Sequence, residues 1–185
     1  MGRSEDIAKF KEQARAVQTV LIEVNNISAA FEYAAELTRK QGGQNIAAPG
    51  ITGKDRALLA SICRTANLML FTENLREKAG LICTGLTRAD WGIAETATLV
   101  MDSKSEEIRI ASMLSETHVA LLPAARIVPD AAAIEKELAQ KMKSAPCYLA
   151  FISGASRTAD IERVLTIGAH GPRELHVLIL REGSQ

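Results

Sequence analysis

Short apolar segments of strand composition alternate with helical stretches along this 185-residue chain. That alternation predicts an α/β fold: a three-layer α/β/α sandwich around a mostly parallel sheet, with helices covering both faces. Two further observations agree. Runs such as HVALLP (118–123) and CYLAFI (147–152) are continuously apolar, as expected of strands buried on both sides. No low-complexity linker or internal repeat divides the chain, and its length suits a single domain with a sizeable core.

Taken in order, Ile7, Phe10, Ala14 and Val17 recur at helical spacing and predict a first helix over residues 4–17. We assign residues 1–18 to this N-terminal helix and 19–185 to the main domain. TVLIEV (19–24) reads as a strand. Asn25 and Asn26 then cap a helix, SAAFEYAAELTRK, which stops at Gly42-Gly43. NIAAPG (45–50) is a short apolar segment broken by Pro49-Gly50. Residues 52–66 form a helix with Asp55 near its start, and NLMLFT (67–72) and LICT (81–84) are strands.

ATLVMD (97–102) is a strand, and residues 105–115 form a helix with Ile108, Met113 and Leu114 as core candidates. Residues 130–143 form a helix that is acidic at its start and basic at its end, as the macrodipole favours. A final helix near 159–167 and the strand ELHVLIL (174–180) close the chain.

Composition excludes several classes of function. Lys plus Arg and Asp plus Glu both number 22, so the formal net charge is zero, against the basic excess of a nucleic-acid or membrane-surface binder. Aromatic residues make up 4%, too few for a base-stacking surface. No apolar run approaches the roughly 18 residues of a membrane span, and the first residues lack an apolar secretory core. A cytoplasmic protein is expected. Cys63, Cys83 and Cys147 form no CxxC pair, and no HxxxH pattern occurs, so no metal centre is expected. No cofactor follows from the sequence.

In open α/β sheets, ligands gather beyond the carboxyl ends of the strands, which directs attention to three turns. In FISGASRTADIE (151–162), Ser153, Gly154, Ser156, Arg157 and Thr158 follow a strand. Gly154 allows close backbone approach, Arg157 suits a small carboxylate or phosphate, and Ser156 or Thr158 can cap the next helix. Asp160 and Glu162 already complement that helix dipole, so a plain cap and an anion site both fit. In GLTRADWGIAETATLV (85–100), Thr87, Asp90, Glu95 and Thr96 stand among small residues. Glu95, entering a core strand, is either a desolvated acid–base group or nucleophile, or the partner of Arg88 or Arg109. In GAHGPRE (168–174), His170 lies between glycines, either exposed or facing the cleft as a proton carrier, with Gly171 beside it. His118 and His176 read as packing residues. Glu95, His170 and Asp160 are the candidate catalytic groups; the remaining polar and glycine positions are candidate ligand contacts.

GLTRADWGIAETATLV, SGASRTADIE and GAHGP, in that order, resemble the signature set of the LUD domain, the lactate-utilisation family typified by LutC and YkgG. The usual pattern has Gly where Ala97 stands and Pro where Ala155 stands. The resemblance implies a fold like that of CoA-transferases, sugar-phosphate isomerases and formyltetrahydrofolate cyclo-ligases. It also implies a part in the oxidation of L-lactate to pyruvate, beside an iron–sulfur subunit and a ferredoxin-like subunit that carry the electrons. Three roles are consistent with it: a non-redox ligand-binding or assembly subunit, a stand-alone enzyme acting on a phosphate- or CoA-bearing substrate, or a regulatory scaffold. All three turns are expected to surround one hollow, with Arg157, His170 and Glu95 turned inward.

Overall fold

The computed structural model describes residues 2–143, 147–159, 165–168 and 170–181. In chain order the elements are α1 (Gly2–Ala16), β1 (Val20–Val24), α2 (Ile27–Lys40), β2 (Asn45–Ala47), α3 (Gly53–Thr65), β3 (Met69–Phe71), β4 (Thr84–Arg88), β5 (Trp91–Ile93) and β6 (Thr98–Asp102). Then come α4 (Glu106–Met113), β7 (Thr117–Pro123), β8 (Ile127–Val128), α5 (Glu135–Met142), β9 (Leu149–Ile152), β10 (Arg157–Ala159), β11 (Leu165–Ile167) and β12 (Glu174–Leu180). No helix among the described residues is long and apolar enough to cross a membrane.

Six strands pair in parallel in the order β1-β12-β7-β4-β2-β3, forming the central sheet. Alternation along β7 sorts its side chains: Val119 and Leu121 join the core under α2 and α3, while Ala120 and Leu122 join the core under α1. Helix α2 buries Ala30, Phe31, Ala34, Ala35 and Thr38 on one stripe, and Asn26 caps it by accepting the Ala29 N–H at 2.9 Å. Phe31 and Phe10, one from each core, are both fully buried. Each is worth about 3 kcal/mol of apolar burial.

The fold class is therefore as predicted, but the second outer layer is not made of helices alone. Beside α1 and α4 it contains a second sheet, β8-β5-β6-β9, in which β6 runs antiparallel to both β5 and β9. CYLAFI supplies β9, an edge strand of this small sheet, and Phe151 is 53% exposed. Its continuous apolarity reflects one covered face rather than two.

Four other expectations are corrected. LICT is not a strand: residues 75–81 form a 3₁₀ helix, and β4 begins at Thr84, because Asn45 ties off the intervening turn through Leu81 O and the Cys83 N–H. Met113 and Leu114 are 53% and 50% exposed; Ile110 and Ala111 carry the buried face of α4. Residues 130–143 divide into a short 3₁₀ turn and α5, with Asp130 capping through the Ala133 N–H. At the two ends of the helix expected near 159–167, β10 and β11 pair antiparallel instead, with Arg157 opposite Ile167 and Ala159 opposite Leu165, while residues 160–164 lie outside the described residues. Thr158, Thr166 and Ile167 are β-branched, and their strand preference prevails there over the helical spacing.

Candidate functional site

The site begins where two strands start. His118 is the second residue of β7 and Leu175 the second of β12, so both lie at the amino edge of the sheet. Around them, the last turn of α4 contributes Ser112 and Met113. Ile152, Gly154 and Ser156 arrive from β9 and its turn, and His170, Gly171 and Pro172 lead into β12. Together these ten residues line a partly open chamber of about 170 Å³. Met113, His170 and Gly171 also border a larger cleft of about 540 Å³, which Arg173 and Glu116 help to line.

Close packing makes the chamber possible. At Gly85, which pairs with His118, an added Cβ would stand 1.8 Å from the Ala111 carbonyl oxygen, so only glycine lets α4 settle against β4. At Gly171 a Cβ would meet the Ser156 side chain at 2.9 Å and the Met113 carbonyl oxygen at 3.2 Å. The turn itself is pinned by the Ser156 N–H donating to Pro172 O at 2.9 Å and the Gly168 N–H donating to Ser156 O at 2.8 Å.

His118 is the chemically unusual member. It is 1% exposed, and burial pushes its imidazole down to about 4, so it is neutral at pH 7. Nε2 lies 2.8 Å from Thr87 Oγ1, whose single hydroxyl proton can go either to Nε2 or to Met101 Sδ, 3.9 Å away. Among the described residues, Nδ1 has no hydrogen-bond partner. One nitrogen is thus anchored, and the ring stands in the chamber wall with the other unpaired among the described residues.

The predicted site residues divide accordingly. Gly154, Ser156, His170 and Gly171 line the chamber, and His170 is exposed. Thr87 is buried behind it and holds His118. Thr96, Thr98 and Ser153 form a chain of hydroxyls, with Oγ1···Oγ1 2.7 Å and Oγ1···Oγ 2.6 Å, ending one residue from Gly154.

The other expected members are not among the residues that line it. Glu95 is exposed on the turn between β5 and β6, where its backbone N–H donates to Pro129 O. Its carboxylate has no partner among the described residues; Arg88 pairs instead with Asp55, and Arg109 donates to Ser103 O and Lys104 O. Arg157 does not line the chamber: its guanidinium donates to Val17 O and Gln18 Oε1 at the end of α1. The carbonyls left open at a helix C-terminus make that a natural cation site. Asp90 accepts the Asp102 N–H at 2.7 Å and pairs with Lys141, which lies over the Trp91 ring. Thr158 belongs to β10, paired with Thr166. Asp160 lies outside the described residues.

One replacement and one retained glycine in the motifs acquire a physical reading. Ala97 has φ +48°, in the left-handed region that favours glycine, and its methyl is buried in the core with Phe10 and Ala14. The extra carbon therefore faces packed hydrophobic side chains rather than the chamber. Gly154, at φ +78°, is required by Val17, whose carbonyl oxygen would stand 2.4 Å from an added Cβ.

His118, read from the sequence as a packing residue, is indeed buried, but its place in the chamber wall was not anticipated. The available signal was its place inside an apolar strand, where a polar ring needs a partner, with Thr87 in the first signature segment able to supply one.

The LUD domain family matches residues 7–180. The chain belongs to this family. Among curated relatives, this LUD domain is 39% identical over 103 residues to lactate utilization protein C of Halalkalibacterium halodurans, covering 54% of this chain and 45% of that protein. It is 28% identical over 182 residues to the uncharacterized protein YkgG of Escherichia coli, covering 94% and 78%. The matched stretches thus span less than half of the first two relatives, at 45% and 42%. A crystal structure of a DUF162 family protein from Deinococcus radiodurans shares the LUD fold, with a TM-score of 0.67, 16% identity, and coverage of 97% of this chain and 99% of that one.

Proposed function

We propose that this LUD-domain chain acts in L-lactate utilisation as a non-redox subunit that binds a small ligand beside iron–sulfur and ferredoxin-like partners. The relatives named lactate utilization protein C supply the process. The observation that carries the ligand-binding role is the chamber, because two of the three signature segments wall it and a residue of the third, Thr87, holds its buried imidazole. Glu95 stands outside that enclosure, so a reaction using it as nucleophile draws no support from the geometry.

Deletion of the gene should abolish growth on L-lactate as sole carbon source while growth on pyruvate persists, and the wild-type chain should restore it. The tagged chain should also co-purify with proteins carrying iron–sulfur clusters. Unimpaired growth of the deletion strain on L-lactate would refute the role.

A further inference from the structure

The dimensions and wall chemistry of the chamber narrow what it can hold. Its volume of about 170 Å³ is close to that of a cavity that accommodates benzene, so it admits about six or seven non-hydrogen atoms. Met113, Ile152, Pro172 and Leu175 make most of its wall apolar. Ser112 Oγ already donates to Ile108 O at 2.8 Å, leaving its lone pairs as acceptors. Among the described residues no lysine, arginine, aspartate or glutamate lines it, and His118 is uncharged. A full charge placed there would lose its hydration without a counter-ion, whereas a hydroxyl or carbonyl group needs only one hydrogen bond. Arg173 and Glu116 stand outside, in the adjoining cleft.

We propose, building on the reading of this chamber as the ligand site, that it takes the uncharged end of a short aliphatic hydroxy- or oxo-compound. The methyl group lies against Ile152 and Leu175, and the oxygen is hydrogen-bonded to His118 Nδ1. Thr87 sets the donor–acceptor sense. When Thr87 Oγ1 donates to Nε2, Nδ1 carries the proton and serves a carbonyl; when Thr87 accepts from Nε2–H, Nδ1 accepts from a hydroxyl. A carboxylate on the same molecule remains at the mouth beside His170. His118 is a positioning and recognition residue in this reading.

The test follows the His118 ring and the Ile152 and Leu175 methyl resonances of the isotopically labelled full chain by NMR, on titration with hydroxyacetone, pyruvate and L-lactate. Saturable shifts at these three residues in the millimolar range are expected of so small a ligand. His118→Phe should weaken binding about tenfold or more, the equivalent of one lost hydrogen bond to a buried group. Ile152→Phe fills the chamber without touching the imidazole and should abolish the Leu175 shifts, which keeps the test valid if His118→Phe fails to fold. Absence of shifts at saturating probe, or binding unchanged in Ile152→Phe, would overturn the proposal. These outcomes are separable from the cellular role: a deletion strain that still grows on L-lactate leaves the chamber's chemistry intact, and an empty chamber leaves the growth phenotype intact.

Discussion

Acidification is the most direct probe of His118. The folded protein holds this ring neutral down to about pH 4, whereas a free imidazole titrates near 6.5. Between those values the unfolded chain binds a proton that the folded chain refuses, so stability rises with pH across this window. The stabilisation is present in full above pH 6.5 and is lost progressively as the pH falls to about 4. The gap corresponds to about 3 kcal/mol for so completely buried a group. Urea unfolding at a series of pH values should therefore show a falling midpoint from pH 7 to 4.5, with unchanged denaturant slope. His118→Phe should remove most of that fall, whatever its own effect at pH 7, and the difference between the two proteins isolates this ring from the carboxylates that titrate lower. The reasoning fails if the His118 ring titrates near 6.5 by NMR, or if wild type and His118→Phe lose stability in parallel.

Three other changes have defined consequences. Gly85→Ala drives a methyl into the Ala111 carbonyl, a backbone atom that cannot swing aside; a loss of about 3 kcal/mol or more is expected in urea unfolding, and an unchanged midpoint would contradict the packing of α4 on β4. Arg157→Ala should cost only about 1 kcal/mol, because the guanidinium is exposed, and should speed amide exchange in the last turn of α1. Unchanged exchange combined with lost binding of small carboxylates would return Arg157 to a ligand role. Lys141→Met removes a cation from above the chain's single tryptophan and from between Asp90 and Asp102. Trp91 fluorescence should lose its dependence on salt, with stability lower by about 1 kcal/mol.

The central sheet was legible because β7 and β12 are uninterrupted apolar runs and α2 carries a clear buried stripe. The second sheet was not. β5 has only three residues, all buried, too few to mark a strand by pattern, and β6 and β9, though read as strands, carry nothing that shows they pair apart from the central sheet. The antiparallel return of β10 and β11 was hidden by spacing that also fits a helix. The candidate chamber was half legible: the signature turns led to Gly154, Ser156, His170 and Gly171, but the rule favouring carboxyl ends pointed to the opposite edge of the sheet from this pocket. At that carboxyl edge, ion pairs of Arg88 with Asp55 and of Glu23 with Lys11 and Arg181 occupy the ground. Arg157 misled because an arginine after a Ser-Gly turn serves an anion and a helix end equally well, and only the arrival of α1 decides between them.

That arrival has a price for the chamber. Gly154 rests on the Val17 carbonyl and Arg157 is tethered to it, so one wall of the enclosure stands on the final turn of the first helix. Proteolytic removal of that helix would spare every residue facing the cavity, yet leave Ile152, Gly154 and Ser156 without their footing. The shape of that chamber is thereby hostage to α1, none of whose residues is among those that line it.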